Sequence, residues 1–235
     1  MIIIVIAICC AAALGALFFY HQMVFKKEVI SGWRYEFSHG SAASANIPKG
    51  WILKAKPGTK PAIFSETKEA KTGESFLRMK ADHASASLIT KPDSVDINKT
   101  PLLRWHWRAA TLPEGADGRI KAKDDQAIGI YAGTGNLFNN KCISYRWDTD
   151  TPKGSEGNSA YGLGSIKVKW YTLRNKDDNV NGRWYTEERD IAEDFKKAWG
   201  FYPRTIYLSI SCNSQYTGSL AAADLAWIEF AARKE

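Results

Sequence analysis

Clustered acids, nine tryptophans and four histidines are the residues of this chain that could do chemistry. Lys121, Lys123, Asp124 and Asp125 lead into the segment QAIGIYA, and Asp148 and Asp150 close CISYRW. Asp177 and Asp178 sit together, while Glu187, Glu188 and Asp190 share a segment with Arg183 and Arg189. Two carboxylates held roughly 5–9.5 Å apart across a cleft would make a glycan hydrolase, but alternation along a strand does not set that separation. Calcium takes roughly six to eight oxygen ligands, and none of these runs has the EF-hand spacing. Asp124 and Asp125 are therefore the candidate acidic or metal site, with structural calcium the one cofactor they would hold. Ion pairs with neighbouring lysines and arginines are the main expected fate of the acids.

His21, His39, His83 and His106 fall in four unrelated places, and His106 has no His or Cys at ligand spacing, so zinc is not expected. No G-x-S-x-G elbow occurs, and GTGN at Gly133 is a hairpin turn without the helix and lysine of a phosphate loop. The aromatic residues offer a different chemistry, since a flat ring face can stack on a pyranose. Trp105 and Trp107 share a face with Leu103, which assigns them to the core. Trp51, Trp184 and Trp199 lie near loops or the one helix and form the candidate exposed patch. KVKWYTLRNK interleaves basic and aromatic residues, but lysines on outer strand faces commonly block edge pairing, so nucleic acid is not an expected partner.

The elements that must position these groups have a period of two from Gly32 onward. LLRWHWR alternates Leu103, Trp105 and Trp107 against Arg104, His106 and Arg108. CISYRW turns Ile143, Tyr145 and Trp147 one way and Cys142 the other, whereas TIYLSISC puts Cys212 with the apolar set. The two cysteines thus face apart and are not expected to pair. With similar runs beginning at Trp33, Phe76, Ser85, Gln126, Ile166, Arg183 and Asp224, the chain offers about ten short strands separated by Gly, Pro, Asn and Asp. One helix is predicted from Ile191, with Asp190 as its N-cap and Gly200 at its end. Residues 38–61 read as loop or irregular edge. The fold class is mainly β: an antiparallel sandwich or jelly roll with one short helix.

From Ile2 to Tyr20 no residue is charged or strongly polar, long enough at ~1.5 Å per residue to span a bilayer core. Phe18, Phe19 and Tyr20 followed by Lys26 and Lys27 resemble an interfacial belt and a basic stop. Without a basic n-region or an A-x-A site, the run reads as an uncleaved anchor. Residues 1–25 form the expected transmembrane helix and 26–235 the sandwich. Ala7, Ala11, Ala12, Gly15 and Ala16 supply the small-residue spacing at which neighbouring membrane helices pack closely.

Composition narrows the class. The chain has 235 residues, 45% of them hydrophobic and 12% aromatic, which excludes disorder. Four cysteines are too few for a disulfide scaffold, and a mean hydropathy of −0.33 excludes a polytopic membrane protein. The net charge of +7 suits anionic lipid or an acidic polymer.

Several segments resemble a bacterial family, the domain-of-unknown-function family 3047, over about residues 100–230. They are TPLLRWHWRAATLPEGAD, KAKDD, ISYRWDTDTPKGS, GRWYTEERDIAEDFKKAWG and the closing strands through AWIEF. Arg104, Trp105 and Trp107 match its R-W-x-W, Tyr145 and Trp147 its Y-x-W, and Glu188, Arg189, Asp190 and Asp194 its acidic-arginine segment. Lys123 stands where members usually carry glycine before the acid pair. The resemblance implies an exported sandwich similar in outline to carbohydrate-binding modules, and it supplies no reaction.

The leading expectation is a membrane-anchored, non-catalytic accessory subunit whose sandwich docks on partner proteins of a membrane assembly. A carbohydrate- or envelope-polymer-binding module is the alternative, and a glycan hydrolase using paired carboxylates the second. The bilayer, other membrane subunits and a glycan are the expected partners. Lys26, Lys27 and Arg34 favour a cytoplasmic domain by the positive-inside rule. The resemblance favours a single-pass protein of the bacterial inner membrane with a periplasmic domain, and that is the expectation adopted.

Overall fold

The computed structural model describes residues 32–38, 42–44, 47–92, 95–136, 138–178 and 182–234. The expected membrane helix, with Ala7, Ala11, Ala12, Gly15 and Ala16, lies outside the described residues. Among those described, no helix is long and apolar enough to cross a membrane.

The alternating segments form two sheets. The first, six-stranded, runs β13 (Tyr185–Asp190), β8 (Leu102–Thr111), β15 (Leu220–Ala231), β6 (Ser75–Asp82), β5 (Ile63–Lys68), with β1 (Arg34–Glu36) also paired to β15. The second, seven-stranded, runs β11 (Glu156–Tyr161), β12 (Ile166–Arg174), β10 (Asn140–Trp147), β9 (Gln126–Gly135), β14 (Tyr207–Asn213), β7 (Ser85–Thr90), β4 (Ile52–Ala55). A small ladder joins β2 (Ala42–Ser44) to β3 (Ile47–Pro48). The result is a β-sandwich.

Its core is where the two apolar faces meet. Leu103, Trp105 and Trp107 of β8 are fully buried, as are Ile143, Tyr145 and Trp147 of β10. Trp105 stacks on Tyr145 at 5.2 Å between ring centroids, and Trp107 packs on Trp147 at 5.6 Å. The helix α1 (Ile191–Trp199) adds Ile191 and Phe195. Its ends are capped as the sequence implies: the Asp190 carboxylate accepts from the Glu193 N–H, and Gly200 takes the left-handed conformation. Arg189 holds Asp194 through two hydrogen bonds, and Asp194 accepts the Tyr145 hydroxyl at 2.6 Å, which ties the helix to the core.

Two departures from the expected architecture have a common cause. The sheets are not wholly antiparallel, because β10 and β12 pair in parallel. After β10 the chain passes to the sheet edge as β11 and returns to pair antiparallel with it as β12, which inserts between β11 and β10. β11 itself, EGNSAY, carries no apolar alternation and alternates only between exposed and half-buried positions. Strands β4 and β5 likewise occupy sheet edges, in and beyond the stretch expected to be irregular.

Candidate functional site

The face of β10 turned away from the core carries Cys142, Ser144 and Arg146, and the pairing registers continue each position across the second sheet. Ser144 lies beside Tyr131 of β9 and Trp170 of β12; Tyr131 in turn lies beside Ser209. Cys142 lies beside Gly133 and Val168, with Tyr207 beyond Gly133. Arg146 lies beside Gly129 and Thr172. Cys142, Val168 and Trp170 form a second apolar cluster here, bordered by the half-buried Tyr131, Tyr161, Ile166 and Tyr207.

Three glycines shape this floor. A Cβ at Gly133 would fall 2.2 Å from Cζ of Tyr207, one at Gly157 2.2 Å from Cζ2 of Trp170, and one at Gly129 2.7 Å from Cε2 of Tyr131. The Tyr207 and Trp170 rings therefore lie across the neighbouring strand, and the Tyr131 ring back along its own, in space that any side chain would fill. Their hydroxyls are tethered. Tyr207 donates to Asn140 Oδ1 at 2.7 Å, Tyr161 donates to Asp124 Oδ2 at 2.7 Å, and Tyr131 accepts from Gln126 Nε2 at 3.0 Å. Burial raises the pKa of all three phenols, so they stay neutral. The Cys142 thiol, 3.1 Å from the Tyr207 hydroxyl, is likewise pushed up to about 11 by burial and is no nucleophile.

Arg146 fixes the other end. Its side chain is 1% exposed, with Nη1 2.7 Å from Asp124 and Nε 2.9 Å from Asp148. Nη2 donates to Gln126 Oε1, and the guanidinium lies over the Trp170 ring at 5.4 Å. Burial opposes its charge, but Asp148 and Asp124 outweigh that and raise its pKa further. Asp148 is itself pushed up by burial, against the pull of Arg146 and the hydrogen bond from Thr172. Trp170 Nε1 is buried with no acceptor among the described residues.

The acid pair Asp124 and Asp125 thus divides. Asp124 belongs to the Arg146 network, whereas one Asp125 oxygen accepts from Tyr216 N, Thr217 N and Thr217 Oγ1 and shapes the loop before β15. Asp125 is pushed up by burial, opposed by Thr217. Among the described residues no three His, Cys, Asp or Glu side chains come together as a metal site. The other acids are also engaged: Glu187 with Arg174 and Trp107, Glu188 with Arg104, and Asp190 with Arg233 and the helix cap.

The expected tryptophan patch does not assemble. Trp51 is 5% exposed, a correction caused by Tyr35 and Phe37, whose rings pack on it from β1 and the residue just after it. Trp199 is half-buried at the end of α1, under the Lys141 ammonium. Trp184 lies on the outer face of the first sheet, beside a cavity of about 500 Å³ lined by Arg34, Glu36, Glu74, His106 and Trp227 among others. There His106 stacks between Trp184 and Trp227, Arg34 covers Trp227 at 4.5 Å and Arg108 covers Trp184 at 4.4 Å. These ring faces are taken by one another and by guanidinium groups. Burial lowers the pKa of His106, keeping it neutral in the stack.

The tyrosines that border the outer cluster, Tyr131, Tyr161 and Tyr207, are half-buried and are omitted from the expected patch. Their signal in the sequence is GIYAG, where Gly129, Tyr131 and Gly133 alternate against a buried Ile and Ala face.

Residues 50–229 match the profile of a family described as protein of unknown function, DUF3047. The chain belongs to the DUF3047 family. In this DUF3047 domain the matching residues serve both faces of β8 and β10: Trp105, Trp107, Tyr145 and Trp147 build the core, Arg104 pairs with Glu188 outside, and Arg146 with Asp124 organises the floor. No curated protein sequence matches the chain. Solved structures similar to it include the family 11 carbohydrate-binding module of cellulosomal cellulase Lic26A-Cel5E of Clostridium thermocellum, at 8% identity and a TM-score of 0.42, covering 86% of this chain and 96% of that one. A putative sugar-binding protein from Bacteroides thetaiotaomicron is similar at 8% identity and a TM-score of 0.41, covering 85% and 95%. The enzymatically active domain of tailspike protein 4 from bacteriophage CBA120 is similar at 6% identity and 0.40, covering 84% of this chain, which spans 21% of that one. Likenesses this distant leave function to the chain's own side chains.

Proposed function

We propose that the outer face of the second sheet is a carbohydrate-binding floor. The observation that carries this reading is that Tyr131 and Tyr207 lie across Gly129 and Gly133, half-buried, with their hydroxyls tethered. Rings fixed in this way offer flat apolar area at little further entropic cost, as Tyr does in other recognition surfaces. Pyranose C–H groups stack on the rings, while Asn140, half-buried at the margin, orients hydroxyls. Because the acids are committed to arginines, caps and loop backbone, the floor binds and does not hydrolyse.

Residues 2–20 would tether this module to the bacterial inner membrane, with the domain in the periplasm. The reading as an accessory subunit of a membrane assembly has its support in those residues alone.

Retardation of the protein in gels containing neutral glucans, mannans and xyloglucan, followed by calorimetry on any hit, tests the proposal. Binding that is lost in Tyr131→Ala and kept in Trp184→Ala is the expected result. Absence of binding to every polymer, or loss through Trp184 with Tyr131 dispensable, would overturn it.

A further inference from the structure

Two loop tips at one end of the second sheet are built in a way the glycan reading does not use. β10 starts at Asn140 and β12 at Ile166, and these residues are register partners in the parallel ladder. The residues that precede them, 138–139 and 162–165, therefore lie side by side, joined by the hydrogen bond from Asn140 N to Ser165 O. At their tips Phe138 is 87% exposed and Leu163 fully exposed.

Neither tip is slack. Asn136 Oδ1 accepts from the N–H of Phe138 and of Asn139, and Gly162 O accepts from Ser165 N and Oγ. Leu163 is held at φ 56 between Gly162 at φ 57 and Gly164 at φ 90. A left-handed Leu is a strained choice where Gly or Asn would sit without penalty, and such strain persists where function requires it. Its side chain contributes nothing to the core.

The charge behind the tips is of one sign. Residues 135–141 and 160–167 contain no Asp or Glu, and Lys141 and Lys167 are register partners one step behind the tips. Protruding apolar side chains backed by lysines suit a fluid, anionic interface, into which each side chain inserts on its own. We propose that Phe138 and Leu163 insert into the headgroup boundary of an anionic lipid bilayer, with Lys141 and Lys167 facing the lipid phosphates.

The test uses the full chain with Cys9 and Cys10 replaced by serine, reconstituted into vesicles of phosphatidylethanolamine and phosphatidylglycerol. A nitroxide is placed at Leu163→Cys and, as control, at Ile63→Cys, an exposed position on the other sheet. The label at 163 should become shielded from an aqueous nickel chelate and open to oxygen, while that at 63 stays aqueous. A label at the exposed Asn139→Cys should be shielded in the parent, and Phe138→Ser with Leu163→Asn should keep the thermal unfolding transition and abolish that shielding. Equal exposure of the two labels would overturn the proposal. So would shielding that is already present in detergent without vesicles, or is as strong in phosphatidylcholine alone.

Discussion

Tyr207 occupies the place of the side chain that Gly133 lacks: a Cβ there would lie 2.2 Å from the ring's Cζ and 2.3 Å from its hydroxyl oxygen. Gly133→Ala must therefore lift the ring and break its hydrogen bond to Asn140. We expect the variant to remain folded, because Tyr207 is on the outer face and the Ile128, Ile130 and Ala132 side is untouched. Glycan affinity should fall at least as far as in Tyr207→Ala. Gel retardation beside a circular dichroism melt reads both; unchanged affinity in the folded variant would show that the ring's position does not matter.

The core was legible because LLRWHWR and CISYRW alternate in sequence; burial follows that alternation residue by residue in LLRWHWR, whereas all six residues of CISYRW are buried because the outer side of β10 is covered as well. The floor was not, for a physical reason. A ring lying across the next strand depends on what the register places there, and Gly157, which makes room for Trp170, comes from β11, a strand without apolar periodicity. Trp51 misled in the opposite direction: its local surroundings are loop-like, and its burial comes from Tyr35 and Phe37. Asp124 and Asp125 are adjacent in sequence yet engage two different partners, an arginine and a loop backbone, and that division depends on contacts distant in the chain.

Arg146→Ala should be among the most destabilising changes at the floor. It leaves Asp124 and Asp148 buried without their cation, and breaking a buried pair in this way costs roughly 3–5 kcal/mol. Arg146→Met with Asp148→Asn should recover part of the loss, since it removes one stranded charge along with the cation. Urea unfolding of the three proteins decides it. Equal destabilisation in both variants would show that packing of the guanidinium on Trp170, and not charge, is what the residue supplies.

Trp105→Ala and Trp107→Ala test the core independently of any ligand. Both side chains are fully buried and stack on Tyr145 and Trp147, so truncation should cost about 3–5 kcal/mol, a large share of a typical domain's ~5–15 kcal/mol. Lowered unfolding midpoints with glycan affinity retained below the transition are expected. Unaltered midpoints would mean that β8 does not face the second sheet as described.

Acid stability reports on the loop that covers the Arg146 network. The Asp117 carboxylate accepts from Arg119 Nε at 2.9 Å and Nη2 at 2.6 Å, which lowers its pKa from 3.8 to about 2. Next to it, Gly118 packs so closely on Arg146 that a Cβ there would lie 2.9 Å from Nη1. The sign follows from proton counting. Between 3.8 and about 2 the unfolded chain binds the proton and the folded chain does not, so the stabilisation is complete above 3.8 and fades as pH falls toward 2. Asp125 and Asp148, raised by burial, act in the opposite sense: their contribution is complete below 3.8 and is lost as pH rises. The two effects separate in a difference curve. Subtracting the unfolding free energy of Asp117→Asn from that of the parent, at matched ionic strength, should leave a term that is level above about pH 4 and declines below it. Arg119→Gln should remove the same decline by removing its cause. A flat difference curve down to about pH 2 would mean that Asp117 is not held ionised, and that the loop over Arg146 is anchored by its backbone hydrogen bonds and the Gly118 N–H to Thr151.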